Sequence, residues 1–256
     1  MEQVLYNAVR AGSVIEVKCI LEHNSLNINW ANEDDHNSTV LHCACSSGYD
    51  SIVVTILAHP DINVNQKNTS GATPFMLACF KGNILCIRLL LKDPRVNVNE
   101  PMYFGTTPLL MLANNGDIDS IKWWISSGRE IKLGKKKRAK TNAIKTAKRQ
   151  GHTEVFNLLS RFETNPMLTR HAVWVQLGCY NELAADLFAL VIFLCDDLLR
   201  FKNRKVSRTT RFFTITTQLP MELQMLVCHR TFGSTKHNIP ITSSESAFRE
   251  LARSFL

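Results

Sequence analysis

No stretch of this 256-residue chain is apolar for the eighteen or so residues that a membrane-crossing helix needs. The nearest approach, Leu187 to Cys195, is closed at both ends by Asp186 and Asp196 and reads as a buried helix. Met1-Glu2-Gln3-Val4 shows no basic region followed by an apolar core, so a secretory leader is not expected and the chain reads as intracellular and cytoplasmic. Sequence signatures of catalysis are missing as well: there is no GxSxG, no Gly-rich phosphate loop, no HExxH and no kinase motif. Asp196-Asp197 are adjacent in sequence, and adjacent carboxylates diverge on a helix. The eight cysteines offer one close pair, Cys43 and Cys45, whose i, i+2 spacing sends the thiols to different sides of a helix. No second pair stands at zinc-ligand spacing, so neither a metal nor a disulfide framework is implied, and the thiols are expected to be buried. These absences argue against an enzyme, a cofactor, a metal, a small-molecule substrate and a membrane.

What the chain does have is a beat. Thr39, Thr73 and Thr107 are spaced by 34 residues, and Gly48, Gly82 and Gly116 repeat that step. A fixed period in this range marks a supersecondary unit copied in tandem, none of which can bury its apolar face alone. The copies align as Thr39-Val-Leu-His-Cys-Ala44, Thr73-Pro-Phe-Met-Leu-Ala78 and Thr107-Pro-Leu-Leu-Met-Leu112. A second apolar helix follows each Gly, carried by Ile52, Val53, Ile56 and Leu57, then Ile87, Leu90 and Leu91, then Ile121, Trp124 and Ile125. Two of these helices are followed by an alternating tail, Asp61-Ile-Asn-Val-Asn65 and Arg95-Val-Asn-Val-Asn99, which reads as extended. Thr can cap the first helix, Pro74 and Pro108 sit where a first-turn N–H has no partner anyway, and Gly48, Gly82, Gly116 and Gly151 stand where the chain must reverse with positive φ.

The Thr-Pro-Leu-His opening, the small residues of the first helix and the Gly between helices resemble the ankyrin repeat. The resemblance covers residues 1–163, with units at about 1–34, 35–68, 69–102, 103–137 and 138–163. The first unit (Ala8, Gly12, Ile20, Leu21, Asn27 to Asn29) lacks the Thr-Pro opening, as a cap would. The fifth (Ala143, Ala147, Gly151, Val155, Leu158, Leu159) follows a one-residue insertion with Asn142 in place of Thr. The fold implied is all-α, a solenoid of helix-turn-helix units with short β-fingers. His42 matches the family's structural histidine, which braces neighbouring fingers.

Ankyrin arrays hold a protein partner along the concave face made by finger tips and inner helices, and the resemblance implies a non-enzymatic interaction scaffold here. Its exposed variable places are the third and fourth residues before Thr, the one just before it, and the seventh and eighth after. They give Asp35, His36, Ser38, Ser46 and Ser47, then Thr69, Ser70, Ala72, Phe80 and Lys81. Next come Tyr103, Phe104, Thr106, Asn114 and Asn115, with Arg138, Arg149 and Gln150 in the fifth unit. Large aromatics dominate interface energies. Phe80, Lys81, Tyr103, Phe104, Asn114 and Asn115 are therefore the candidate partner-binding residues, with packing of Phe104 beneath the next finger as the alternative.

Charge is unevenly placed. Residues 1–128 hold eight Lys and Arg against twelve Asp and Glu, residues 129–161 hold eleven against two, and residues 162–256 hold eleven against eight. The focus is the run Lys135, Lys136, Lys137, Arg138 and Lys140. It reads as a nuclear-import signal, as a patch steering an acidic partner or nucleic acid, or as a solvated loop. No aromatic residues interleave the basic ones, which argues against nucleic acid as the partner.

The period stops near residue 164, at Thr164-Asn-Pro166, and residues 164–256 read as a helical region with a basic Ser/Thr-rich loop at Lys202 to Arg211. Within it, Leu219-Pro220-Met-Glu-Leu223-Gln-Met-Leu226 is similar to the start of an F-box, which would dock a ubiquitin-ligase adaptor through Leu219, Pro220, Leu223 and Leu226. The match is eight residues long, and the family's later Leu-Pro-rich half is missing. A helical cap over the apolar end of the stack and a self-association surface are the other readings.

Overall fold

Thr39, Thr73, Thr107 and Asn142 each turn a side-chain oxygen onto the backbone N–H three residues ahead, at 3.4, 3.3, 3.3 and 3.0 Å. Each thereby starts the first helix of a unit, and Asn142 does at the fifth opening what threonine does at the others. The computed structural model describes residues 1–23, 26–134 and 142–178, together with 184, 187–192, 216, 217, 219, 224, 225, 227, 228, 231 and 247.

The first compact unit, Met1–Val173, is built from helix pairs. Inner helices are α1 (Glu2–Arg10), α3 (Val40–Ser47), α5 (Pro74–Lys81), α7 (Pro108–Asn115) and α9 (Ala143–Arg149). Outer helices are α2 (Val14–Leu21), α4 (Asp50–Leu57), α6 (Ile84–Lys92), α8 (Ile118–Ser126) and α10 (Thr153–Thr164). Each inner helix packs on the next inner helix and on its own outer partner, as a stack of copied hairpins requires.

Gly48, Gly82 and Gly116 end the inner helices in the left-handed region, with φ of 78°, 70° and 72°. At Gly116 the demand is also steric: a Cβ there would lie 2.6 Å from His152 Nδ1. His152 sits that close because its Nε2 donates to the Asn114 carbonyl at 3.0 Å, bracing the end of α7 from the next unit. Asn83 does the same one unit earlier, donating to the carbonyls of Cys45 and Ser46 at 2.7 and 3.0 Å.

The core is continuous along the stack. Leu41, Ile52, Ile56, Phe75, Met76, Ile87, Leu90, Leu109, Leu112, Ile121 and Trp124 are all fully buried. Phe75 meets Trp124 edge to face at 5.3 Å and 85°, an arrangement the ring quadrupole favours. Cys45 and Cys79 are buried in it, and burial holds their thiols well above the usual range. Cys19 differs from the expectation of buried thiols, since it lies on the exposed side of α2.

The alternating tails are turns, not strands, among the described residues. Ile62, Val64, Val96 and Val98 are buried while Asn63 and Asn97 face water, so the period of two is real. It is produced by successive Asx turns: Asn65 N–H donates to Asn63 Oδ1 at 3.1 Å, and Asn29 N–H to Asn27 Oδ1 at 3.0 Å. The second Asn of each tail then bridges to the following unit. Asn29 donates to the Asp61 carbonyl and accepts from Asn63 N–H, both at 2.7 Å. Asn65 repeats this with Arg95 and Asn97 at 2.8 and 2.7 Å, and Asn99 with Glu130 and Lys132 at 3.0 and 3.1 Å. Backbone groups left unpaired by irregular chain are thus satisfied in one repeating ladder.

The fingers are tight hairpins. In the first, β1 (Ala31–Asn32) pairs antiparallel with β2 (Ser38–Thr39), Ala31 opposite Thr39. In the second and third the closing bonds are Asn68 N–H to Ala72 O at 3.0 Å and Met102 N–H to Thr106 O at 2.9 Å. Neighbouring fingers also join tip to tip, Thr69 N–H donating to His36 O at 2.9 Å.

Asn165 separates α10 from α11 (Pro166–Leu177), its Oδ1 accepting from Leu168 N–H at 3.1 Å. As far as Val173, α11 belongs to the first compact unit: Thr169 and Val173 are buried, and Arg170 Nε donates to the Ile125 carbonyl at 3.0 Å. The second unit, Trp174–Leu256, has its own apolar cluster of Ala184, Phe188, Ala189, Val191, Cys228 and Ala247, with Leu187, Ile192 and Met225 packed on it. Residues 187–192 are helical. The stretch Lys202 to Arg211, read as a loop, lies outside the described residues.

Candidate functional site

The candidate partner-binding residues lie at finger tips and inner-helix ends, which the repeat places in two rows. At the third finger, Tyr103 is 67% and Phe104 95% exposed, the latter with almost no contact to the protein. Phe104 is therefore not tucked beneath a neighbouring finger. Tyr103 leans on the second finger: its N–H approaches Ser70 O at 3.5 Å, and Lys67 Nζ stands 5.8 Å from its ring centre. The approach depends on Gly71, where a Cβ would come within 2.8 Å of Tyr103 Cγ. Lys67 is in turn held by Glu100 at 2.6 Å, so its charge is neutralised where it stands.

The second row is made by the ends of α5, α7 and α9. Phe80 is 49% exposed, and Lys81 Nζ lies 5.5 Å from its ring centre. Asn115 Nδ2 donates to the Phe80 carbonyl at 3.3 Å, and Asn114 Oδ1 accepts from Gln150 Nε2 at 2.7 Å. The two asparagines are thus exposed but engaged, tying three successive helix ends edge to edge. Of the other variable places, Ser38 and Ala72 are buried, and Thr106 is half-buried. The residue before Thr closes the hairpin and packs under it, as Ala72 shows by accepting from both Asn68 N–H and His42, so it is not available to a partner.

At the amino end the row turns acidic. Glu33, Asp34 and Asp35 are exposed on the first finger, and a polar recess of about 260 Å³ opens between Arg10, Asp34, Asp35, Cys43, Ser46 and Ser47. Tyr6 is buried on α1 and donates its hydroxyl to the Asp35 carboxylate, while its ring meets Trp30 edge-on at 6.2 Å. Burial and that hydrogen bond push the phenol far above its usual range, so it stays a donor. Nothing in the sequence pattern signalled this pairing, because the partners lie 29 residues apart, outside the 34-residue register.

His42 is buried between fingers. Its Nε2 faces the Ala72 carbonyl at 3.0 Å and must donate, which leaves Nδ1 to accept from Thr39 N–H at 3.1 Å and Thr39 Oγ1 at 2.9 Å. One tautomer satisfies all three contacts, and a protonated ring would set N–H against N–H at Thr39. Burial lowers its pKa to about 4. His42 is structural.

Among the described residues no cluster of His, Cys, Asp and Glu could hold a metal ion, and no helix is long and apolar enough to cross a membrane. Of the other candidate residues, Lys135, Lys136, Lys137, Arg138 and Lys140 lie outside the described residues, as do Pro220, Leu223 and Leu226. Leu219 is described: its N–H donates to Thr216 O at 3.1 Å, and its carbonyl accepts from Gln224 Nε2 at 2.8 Å.

Paired helices repeated in register, left-handed glycines between them and hydrogen-bonded fingers define a helical repeat array. The family model for ankyrin repeats (3 copies) matches residues 2–68 and 53–135. The chain belongs to the ankyrin-repeat family. It is also similar to Rabankyrin-5 of Homo sapiens, 35% identical over 71 residues, a stretch that is 28% of this chain and 6% of that protein. The chain therefore spans a small fraction of the length of that relative. Ankyrin repeats generally mediate contacts between proteins.

Proposed function

We propose that the chain is a non-enzymatic interaction scaffold that holds a partner protein on the concave side formed by the finger tips and the inner-helix ends, with Phe80, Lys81, Tyr103, Phe104, Asn114 and Asn115 as the contact residues. The observation that carries this reading is Phe104. A phenylalanine 95% exposed at the tip of an ordered finger, beside a tyrosine 67% exposed, leaves apolar area in water for which the fold itself has no use. Phe80 adds a third exposed ring, on the row of helix ends. Aromatic side chains that become desolvated at the centre of an interface contribute about 2 kcal/mol or more each. Asn114 and Asn115 act as a preformed floor, already tied to Gln150 and Phe80, so a partner would not have to order them.

The test is affinity capture with full-length protein and with Tyr103→Ala/Phe104→Ala, compared by quantitative mass spectrometry. The proteins retained specifically by the native chain should be lost from the variant. An identical retained set would place the contact surface elsewhere.

A further inference from the structure

The partner surface carries a gradient of charge that names the chemistry of its occupant. Residues 1–68 hold three Lys and Arg against eight Asp and Glu, residues 69–128 hold five against four, and residues 129–161 hold eleven against two. Along the sequence the balance thus runs from acidic to basic. Among placed side chains, Asp34 and Asp35 are exposed on the first finger, while Lys81 and Arg149 are exposed on the row of helix ends, at α5 and α9. Phe80 adjoins Lys81, and Tyr103 and Phe104 fall between Lys81 and Arg149 in the order of the units.

Pairing within the protein does not erase this. Lys67 is neutralised by Glu100 at 2.6 Å, Arg95 by Asp93 at 2.7 Å, and Lys122 has Asp119 at 3.5 Å. Among the described residues no carboxylate lies within ion-pair distance of Lys81, Lys148 or Arg149, and Lys148 stands over the Phe156 ring at 5.7 Å. Helix ends bonded to one another by Asn115, Asn114 and Gln150 hold Lys81 and Arg149 on one row, two units apart, with the end of α7 between them. Fields from such charges reach about 8 Å at physiological salt, so the two cations, separated by the end of α7, act on different parts of an extended ligand that lies along the row.

Resting on the scaffold reading above, we propose that the occupant is an acidic peptide segment of a partner protein, anchored by an apolar or aromatic residue at Phe80, Tyr103 and Phe104, with its carboxylates lying toward Lys81 and Arg149. The acidic first finger repels the same carboxylates and so fixes the direction in which the segment lies.

The experiment uses the full chain as bait for a phage-displayed library of random twelve-residue peptides, followed by fluorescence anisotropy of the enriched peptides. Enriched sequences should be net acidic and contain an aromatic or leucine. Their affinity should fall at least tenfold on Lys81→Glu/Arg149→Glu, and severalfold as salt rises from about 50 to 300 mM. Because both side chains are exposed, the reversal should fold, and Lys81→Gln/Arg149→Gln replaces it if circular dichroism shows otherwise. Enriched peptides that are neutral or basic, or an affinity that stays within twofold on removal of the two charges, overturn the proposal. If those peptides still depend on Tyr103 and Phe104, the scaffold reading survives alone; if Tyr103→Ala/Phe104→Ala leaves binding intact, the scaffold reading fails as well. A twelve-nucleotide oligothymidylate bound more tightly than any peptide, and released by the same charge reversal, would overturn the assignment in favour of nucleic acid.

Discussion

His42 Nε2 donates to the Ala72 carbonyl across the gap between two units, and the ring that makes this bond is the neutral one. A group held neutral by the fold makes stability depend on pH, and the sign follows from which state binds the proton. The unfolded chain takes up a proton near 6.5, whereas the folded chain resists until about 4. Below pH 6.5 the unfolded state therefore binds more protons, so stability is complete above 6.5, declines as pH falls toward 4 and then levels off. The loss is on the order of 3 kcal/mol. Urea denaturation of the native protein and of His42→Gln, followed from pH 4 to 8, should show this acid-side slope in the first and a smaller one in the second. Equal slopes would mean that His42 is not the group responsible.

Asn65 joins two units through its carboxamide, giving one hydrogen bond to Arg95 O and taking one from Asn97 N–H. Net contributions of about 0.5–1.5 kcal/mol per hydrogen bond predict a cost of about 1–3 kcal/mol for Asn65→Ala. Since the bonds lie between units and not within them, the denaturant slope should also fall as the stack loses cooperativity. A shifted midpoint with an unchanged slope would show that the ladder adds stability without coupling neighbours.

Gly82 and Gly116 have the same backbone geometry and different surroundings. At Gly82 a Cβ would sit 3.6 Å from Asp117 Oδ2, an ordinary contact, while at Gly116 it would sit 2.6 Å from His152. Gly82→Ala should cost only the strain of positive φ, about 1–2 kcal/mol. Gly116→Ala should cost more, and the excess should shrink in the His152→Ala background. Thermal melts of the native protein, the three single variants and the Gly116→Ala/His152→Ala double variant check this, and equal costs at the two glycines would rule the steric argument out.

Tyr103 and Phe104 are neighbours with unequal structural duties. Phe104→Ala should leave the melting temperature within about half a kcal/mol equivalent, as surface changes do. Tyr103→Ala should lower it slightly, by releasing the ring from Gly71 and Lys67. Should Phe104→Ala prove the more damaging, the ring is packed and not presented.

Thiol accessibility separates exposed from buried cysteines. Alkylation of the native protein followed by peptide mapping should modify Cys19 early and Cys45 and Cys79 only on unfolding. Early modification of Cys79 would indicate that the stack opens locally at its middle.

The repeat register was legible because its physics is local. A capping oxygen three residues before an N–H, a proline in a first turn and a glycine at a reversal each act within a few positions, and Thr73, Pro74 and Gly82 state them in order. The tails show where such reading stops. Burial alternating with exposure is common to strands and to successive Asx turns, so Ile62 and Val64 could not tell one from the other. The bridging of Asn29, Asn65 and Asn99 to the next unit is a tertiary fact that the repeated Asn hinted at without revealing. At the candidate site the sequence supplied the places but not their state. The repeat pattern gives Ala72 and Ser38 as exposed places although the hairpin closes over them, and it carries no sign that Asn114 and Asn115 are bonded to neighbouring helix ends.

The asparagine ladder touches main-chain atoms alone in the unit it grips, and every amino acid except proline supplies the same pair of groups. The side chains of Asp61, Arg95 and Glu130 are consequently invisible to the joint, which would read any residue there alike. Units of different surface composition can therefore be joined by one and the same clasp.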